Sequence, residues 1–439
     1  MPPMAASAVV SPVSRVRGRI RVPGDKSISH RYAMLSAIAD GISRLEGYAP
    51  GADCAATLAC LEGFGIHIVR EKGPRGVSLQ IRGSGLRGFT PPRVPLDAAN
   101  SGTSMRLLSG LAAAHPFRTI IGGDESLSKR PMRRVIDPLT QMGAAFTAID
   151  GRPPLTIDGT DLRAIRFAPE VPSAQVKSAI LLAGLHASGR TEVVEPSPTR
   201  DHTERALEAF GVQVGRDGSS VSLEGGQRLR AVDLAIPGDI SSAVFWLVLA
   251  AGRPGSVIEI EGVGLNPSRT AVLEILRRAG AVIDADVQQT GAGEPVGTIR
   301  VRDSAPRPFD IEPAMVPAVI DEIPALAALA AMTPAGRLTV RGAGELRVKE
   351  SDRIAMLARG LRAIGITVDE YEDGFTVYGG QITGGEVDAA GDHRLAMAFA
   401  IAGTAGRDTV SIRGADAVAV SYPGFFDELR RLCEAGDDR

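Results

Sequence analysis

Polar residues open apolar runs at regular intervals along this chain. A cluster of Ser, Asn, Asp or Thr begins an Ala- and Leu-rich stretch, a short glycine-containing break follows, and a β-branched run such as residues 256–261 comes next. A second, amphipathic stretch then ends in a Gly-Ala-x-Ile type turn into another β-branched run. The apolar stretches open at Lys26-Ser27, Asn100-Ser101-Gly102-Thr103, Ser173-Ala174-Gln175, residues 238–242, Asp321-Glu322 and residues 391–394. That is a period of about 70 residues, longer than the usual solenoid repeat. The amphipathic stretches close near Gly65, Gly143, Gly211, Gly280 and Gly365, and the sixth covers residues 425–432. The pattern predicts six copies of one strand–helix–strand–helix unit.

Six units divide naturally as three and three. Residues 236–239, Ile-Pro-Gly-Asp, echo residues 22–25, Val-Pro-Gly-Asp. Their matched places in the repeat predict two hinge segments. The expected organisation is an N-terminal domain at 25–236 holding repeats 1–3, and a C-terminal domain made of 15–24 plus 237–439 holding repeats 4–6. Residues 1–14 have neither the charged nor the long apolar region of a signal peptide and are expected to be a flexible tail.

The first stretch of each unit is apolar nearly all round, as in residues 179–187 and 325–331, and so predicts a buried helix. A buried helix with a polar N-terminus points unpaired N–H groups and a positive dipole end outward, and several such ends together favour an anion. Lys26 and Arg394 both stand at such openings, where the dipole disfavours a cation unless an anion lies in front of it. Ser27 and Arg31, four apart, share the face beside Lys26. Further basic clusters are residues 128–130, Ser-Lys-Arg, and residues 346–353, Leu-Arg-Val-Lys-Glu-Ser-Asp-Arg, where Lys349 and Arg353 are expected on one helix face with Glu350 alongside. A hydrogen bond to a charged group contributes about 1.5–3 kcal/mol against about 0.3–1 for a helix end, so the Lys and Arg side chains dominate.

Composition narrows the classes. At 439 residues the chain exceeds one hydrophobic core. Aromatics are only 4%, so the core is built from small and aliphatic side chains that suit closely packed helices. A net charge of −2 offers no general field for nucleic acid. No run of about 18 apolar residues predicts a membrane span. Cys54, Cys60 and Cys433 lack CxxC spacing and fit a reducing, cytoplasmic setting as packing residues. The histidines show no paired spacing, so no metal site is expected. Residues 83–88 fit G-x-G-x-x-G, but Pro91-Pro92 stand where a dinucleotide-binding helix should start.

Five segments, in this order, resemble the 5-enolpyruvylshikimate-3-phosphate (EPSP) synthases: residues 23–31 (Pro-Gly-Asp-Lys-Ser-Ile-Ser-His-Arg), 100–106 (Asn-Ser-Gly-Thr-Ser-Met-Arg), 173–175 (Ser-Ala-Gln), 347–353 (Arg-Val-Lys-Glu-Ser-Asp-Arg) and 392–397 (Asp-His-Arg-Leu-Ala-Met). The resemblance implies the enolpyruvyl transferase fold. This is an α/β architecture of two similar domains, each of three βαβαββ-type repeats with buried helices, an inside-out α/β barrel that closes over its ligands. It implies transfer of the enolpyruvyl group of phosphoenolpyruvate to the 5-hydroxyl of shikimate 3-phosphate, by a monomer with no metal and no organic cofactor. Lys26, Ser27, Arg31, Ser173, Ala174, Gln175, Arg200, Asp321 and Lys349 resemble the shikimate 3-phosphate ligands. Lys26, Asn100, Gly102, Arg130, Gln175, Arg353 and Arg394 resemble the phosphoenolpyruvate ligands. Asp321 resembles the proton acceptor, and Glu350, with Lys26, the proton donor. Gly102 stands where an Ala goes with tolerance of glyphosate in this family, so sensitivity is expected. Residues 419–423 lack a Lys that many relatives place there, and Glu345 replaces an Asn of some relatives.

Two other functions share parts of this pattern. A UDP-N-acetylglucosamine enolpyruvyl transferase would place a reactive Cys in the second unit, where residues 124–131 have none. A non-catalytic phosphosugar-binding or ring-forming repeat protein would lack either the acid–base pair Asp321 and Glu350 or a neutral lumen.

Overall fold

Each of the six apolar stretches forms a helix buried on all sides. They are α1 (Lys26–Ile38), α2 (Gly102–Ala113), α3 (Ala174–Gly184), α4 (Ile240–Gly252), α5 (Ile323–Ala331) and α6 (His393–Gly403). The reason is local. In α4, Ile-Ser-Ser-Ala-Val-Phe-Trp-Leu-Val-Leu-Ala-Ala-Gly leaves no polar face, and all residues before Gly252 are buried. Five of the six are capped by the side chain before them: Asp25, Ser101, Ser173, Asp239 and Asp392 each accept a backbone N–H of the first turn. Small residues let the helices approach. A Cβ on Gly110 of α2 would stand 2.3 Å from the carbonyl oxygen of Ala179 in α3.

The computed structural model describes residues 6–73, 75–291 and 293–437. The complete repeat is seen at its clearest in the second copy. Leu96–Asp97 leads into α2, then Arg118–Gly122, then the amphipathic helix Arg133–Gln141, then the hairpin of Ala145–Ile149 and Arg152–Asp158. The two strands flanking α2 pair in parallel, and the hairpin adds antiparallel strands. The same order recurs in the sheet containing Arg190–Val194 and in the sheet containing Arg337–Val340. The amphipathic helices Ala52–Gly63, His202–Ala209, Ala271–Arg278, Arg353–Ala363 and Phe425–Asp437 complete the other copies.

The chain divides into two units. The N-terminal unit holds Gly24–Pro237 and the described residues of Thr290–Glu294. The C-terminal unit holds the described residues up to Pro23, those of Gly238–Gln289, and those from Pro295 onward. In the N-terminal unit the strand Asp233–Ala235 pairs in parallel with Asp40–Tyr48. In the C-terminal unit Arg17–Ile20 pairs in parallel with Val257–Gly264, so the first copy in each unit borrows its opening strand from a distant part of the chain. Within the C-terminal unit α4, α5 and α6 touch one another pairwise, and within the N-terminal unit α2 touches both α1 and α3. No helix among the described residues is long and apolar enough to cross a membrane.

Two expectations need correction. Of the tail expected at residues 1–14, residues 1–5 lie outside the described residues. Ser7–Val10, however, is an ordered strand, antiparallel to Val410–Arg413, with Val10 in the core. In the sixth copy the strand Ser7–Val10 occupies the sheet edge beside Val410–Arg413. The second correction is Thr290–Glu294, which the repeat pattern places with the C-terminal half. Its Glu294 is fully buried, with Oε1 2.7 Å from Nδ1 of buried His202, and this pair binds the segment to the N-terminal unit.

The core also holds a histidine that would be charged in water below about pH 6.5. His186, just after α3, is 5% exposed, and neither ring nitrogen has a hydrogen-bond partner. Burial, reinforced by His115 at a ring distance of 5.4 Å and by Arg87, pushes its pKa down to about 3. The unfolded chain takes up this proton near pH 6.5, and the folded chain does not until about pH 3. Stability is therefore undiminished above about pH 6.5 and falls as pH drops from there toward 3, by up to about 1.4 kcal/mol per pH unit for this one group. The variant His186→Leu should melt at a higher temperature than the wild type at pH 5, and the gap should shrink at pH 8. Thermal melts at the two pH values check this, and an equal gap at both would refute it.

Candidate active site

The N-terminal unit gathers one set of charged groups at its helix openings. Lys26 is the first residue of α1, and Asp25 Oδ1 caps that helix by accepting the Ile28 N–H at 2.9 Å. The Lys26 ammonium donates to Asp53 Oδ2 at 2.8 Å, with the two side chains 16% and 7% exposed. The dipole-opposed placement is thus offset by a carboxylate from the neighbouring helix Ala52–Gly63 as well as by any bound anion. Ser27 is half-buried and gives its carbonyl to Arg31 Nη1 at 2.9 Å. Arg31 is buried and also donates to Thr203 Oγ1 at 2.7 Å and Ser178 Oγ at 2.8 Å, so it ties α1 to α3 and to the helix His202–Ala209.

A second cluster surrounds the start of α2. Arg130, expected in a basic turn with Lys129, is buried and donates to Asn100 Oδ1 at 2.6 Å, while Asn100 Nδ2 donates to Asp124 Oδ2 at 2.7 Å. Lys129 points away and pairs with Glu125 at the surface. Gln175, in the first turn of α3, is held at both ends: Arg106 Nη1 donates to its Oε1 at 2.7 Å, and its Nε2 donates to Thr103 Oγ1 at 2.8 Å. Gly102 lies between the two guanidiniums. A Cβ there would be 2.7 Å from Arg106 Nη1 and 3.3 Å from Arg130 Nη1, so any side chain displaces Arg106. Ser173 caps α3, Ala174 is its first residue, and half-buried Arg200 precedes the helix His202–Ala209 in the same unit.

The C-terminal unit gathers the acids. Arg353 is 1% exposed and opens the helix Arg353–Ala363. Its Nη2 donates to Glu350 Oε2 at 2.6 Å, and its Nε donates to Asp392 Oδ2 at 2.7 Å. Its Nη1 lies 3.7 Å from Asp321 Oδ1 and is buried without a hydrogen-bond partner. One guanidinium therefore has Glu350 on one side and Asp321 on another. Burial and the Asp392 and Glu350 carboxylates act on it in opposite senses, and the carboxylates win, raising its pKa. Arg394, near the start of α6, donates to the Asp321 backbone carbonyl at 2.9 Å. Lys349 is half-buried. Burial pushes its ammonium below the usual lysine range, with Asp321 pulling it back up and Arg353 adding to the fall.

One expectation fails here. Lys349 and Arg353 do not share a helix face, because Gly344–Val348 is a 3-10 turn that ends at Lys349 and the helix starts only after its cap, Asp352. The cap residue Asp352 accepts the Ala355 N–H at 3.0 Å, which sets the helix start four residues later than an i,i+4 pairing requires. Four residues went unassigned in the sequence reading. Arg106 and Thr103 orient Gln175, Asp53 holds Lys26, and Asp392 holds Arg353. Arg106 and Asp392 stood inside conspicuous motifs, and their charge at a buried helix opening was the available signal. Asp53, 27 residues from its partner, had no local one.

A profile of the family described as EPSP synthase (3-phosphoshikimate 1-carboxyvinyltransferase) matches residues 10–429. A 3-phosphoshikimate 1-carboxyvinyltransferase of Acidithiobacillus ferrooxidans is 51% identical over 417 residues, 95% of each chain. The chain belongs to the EPSP synthase family. The solved EPSP synthase from Acinetobacter baumannii superposes with a TM-score of 0.85 at 42% identity, covering 97% of this chain and 98% of that one. The enolpyruvyl transferase NikO from Streptomyces tendae, at 18% identity and a TM-score of 0.77 over 98% of each chain, shares the fold. The enolpyruvyl transferase fold that the resemblance implies is therefore present. The UDP-N-acetylglucosamine alternative loses its ground, since the family matched over nearly the whole chain is the EPSP synthases.

Proposed function

We propose that this chain transfers the enolpyruvyl group of phosphoenolpyruvate to the 5-hydroxyl of shikimate 3-phosphate and releases phosphate. The observation that carries the chemical reading is Arg353, a buried guanidinium flanked by Glu350 and Asp321 with one N–H pair still unbonded. The reaction needs a carboxylate-binding cation with an acid and a base close to it. In the first step Asp321 takes the proton of the 5-hydroxyl, the oxygen bonds to C2 of phosphoenolpyruvate, and Glu350 gives a proton to C3. In the second step Glu350, now a carboxylate, takes a proton back from C3, the C2–O bond to phosphate breaks, and the double bond returns. The addition and the elimination both make or break a C–O bond at C2 with proton transfers at the hydroxyl and at C3, chemistry that an acid, a base and cations can supply.

The cations fix the reactants and stabilise charge on the departing phosphate. Lys26, Asn100, Arg130, Gln175, Arg353 and Arg394 serve phosphoenolpyruvate. Lys26, Ser27, Arg31, Ser173, Ala174, Gln175, Arg200, Asp321 and Lys349 serve shikimate 3-phosphate. Arg31, tied to Thr203 and Ser178, acts as much by holding α1 and α3 together as by direct contact. Arg106 joins the set because it orients Gln175, and Gly102 because a Cβ there would push the Arg106 guanidinium aside. The same reading makes residues 22–25 and 236–239 hinges, where the chain passes between its units, and takes the protein to be a cytoplasmic monomer.

The test is release of phosphate from phosphoenolpyruvate, with shikimate 3-phosphate in one reaction and UDP-N-acetylglucosamine in another. Release should require shikimate 3-phosphate and should be inhibited by glyphosate, since Gly102 leaves the Arg106–Arg130 corner open. Release with UDP-N-acetylglucosamine alone would overturn the reading.

A further inference from the structure

The segment that carries Lys349 and Glu350 is poorly fixed by packing. Between Gly342 and Asp352 only Ala343 and Leu346 are buried. A loop with so few apolar anchors is held by polar contacts or moves. Here those contacts converge on one side chain. Arg347 Nε donates to the Glu372 carbonyl at 2.7 Å. Its Nη2 donates to the Tyr371 carbonyl at 2.7 Å and to Glu370 Oε1 at 3.2 Å. Its Nη1 donates to Asp352 Oδ2 at 2.7 Å, while the other oxygen of Asp352 caps the helix that begins with Arg353. The start of the loop is held by the same hairpin turn, where Asp373 Oδ2 accepts the Gly342 N–H at 2.8 Å and the Asp373 carbonyl accepts the Ala343 N–H at 2.6 Å.

We propose that Arg347 is a positioning residue for the transferase reaction: its guanidinium clasps the turn bearing Lys349 and Glu350 to the hairpin residues 370–372 and to the cap of the Arg353 helix. The inference rests on the roles given above to Lys349 and Glu350. Three nitrogens of one rigid fork reach four acceptors, three of them on the hairpin and one on the helix cap. A lysine, with one nitrogen, cannot span them. Arg353 itself keeps a separate anchor in Asp392, and Arg394 sits on α6, so loss of the clasp displaces Lys349 and Glu350 while sparing the cations assigned to phosphoenolpyruvate.

That asymmetry gives the test. In the full chain, Arg347→Met and Arg347→Lys are compared with the wild type for kcat, for KM of each substrate, and for melting temperature. Both variants should lose about 10- to 100-fold in kcat, the scale of an ångström-size misplacement, with KM for shikimate 3-phosphate raised several-fold and KM for phosphoenolpyruvate within about twofold. Folded variants with unchanged kcat, or with both KM values raised equally, would overturn the positioning role. Should Arg347→Met not fold, Glu370→Ala removes one of the four acceptors. A smaller fall in kcat with the same selective rise in KM supports the proposal, and wild-type values refute it. Absence of phosphate release by the wild type is a separate outcome, which overturns the transferase reading beneath it.

Discussion

Replacing Glu350 by Gln should cut turnover by about 10²- to 10⁴-fold, the usual contribution of a placed general acid. The substitution keeps the shape and a hydrogen-bond acceptor for Arg353 Nη2 but has no proton to give to C3 of phosphoenolpyruvate. Its effect on folding should be small, because Arg353 retains Asp392 at 2.7 Å and so does not become a bare buried charge. Melting temperature and kcat therefore separate cleanly. The loss corresponds to about 3–5 kcal/mol of barrier and should appear in kcat at saturating concentrations of both substrates. Retention of more than a tenth of wild-type kcat would exclude Glu350 as the donor and leave Lys26 as the remaining candidate among the assigned residues.

The fold was readable where one physical rule dominates. A helix such as α5, apolar on every face, can exist only buried, and its polar opening marks its end. Six such helices about 70 residues apart make the repeat legible, and the matched Pro-Gly-Asp segments point to residues 15–24 belonging with the C-terminal half. The parts that were not readable depend on partners far away in the chain. Ser7–Val10 is four residues of no special pattern, and only the open sheet edge at Val410–Arg413 makes them a strand. Glu294 is an ordinary acidic residue of a hairpin until His202 buries it.

The same contrast holds within the candidate site. Lys26, Arg130, Arg353 and Arg394 announced themselves as cations at the openings of helices or in basic clusters. Their holders, Asp53, Asn100 and Asp392, are typical capping or surface residues in isolation. The error over Lys349 has the same origin. Spacing of four suggested a shared helix face, and the decision lay with Asp352, whose side chain captures the Ala355 N–H and fixes the helix start. Cap competition of this kind is decided by small energies, about 1 kcal/mol, so spacing alone does not resolve it.

Replacing Lys26 by Met should lower kcat/KM for phosphoenolpyruvate by about 10²- to 10³-fold, equivalent to losing one or two charged hydrogen bonds of about 1.5–3 kcal/mol each. The structure offers a rival explanation that must be separated from this one. Lys26 is bonded to Asp53 at 2.8 Å, and a purely structural lysine would also be missed, because Asp53 is only 7% exposed and would be left without its cation. The two accounts part in the double variant Lys26→Met/Asp53→Asn, which removes the stranded carboxylate. If Lys26 serves only Asp53, the double variant recovers both melting temperature and kcat/KM. If Lys26 holds the substrates, the double variant recovers melting temperature alone, and the loss in kcat/KM persists. The position of Lys26 favours the second outcome. It is the first residue of a buried helix, and the positive end of that helix's dipole favours an anion in front of the ammonium. A double variant with wild-type kcat/KM would return Lys26 to the framework and remove it from the chemistry.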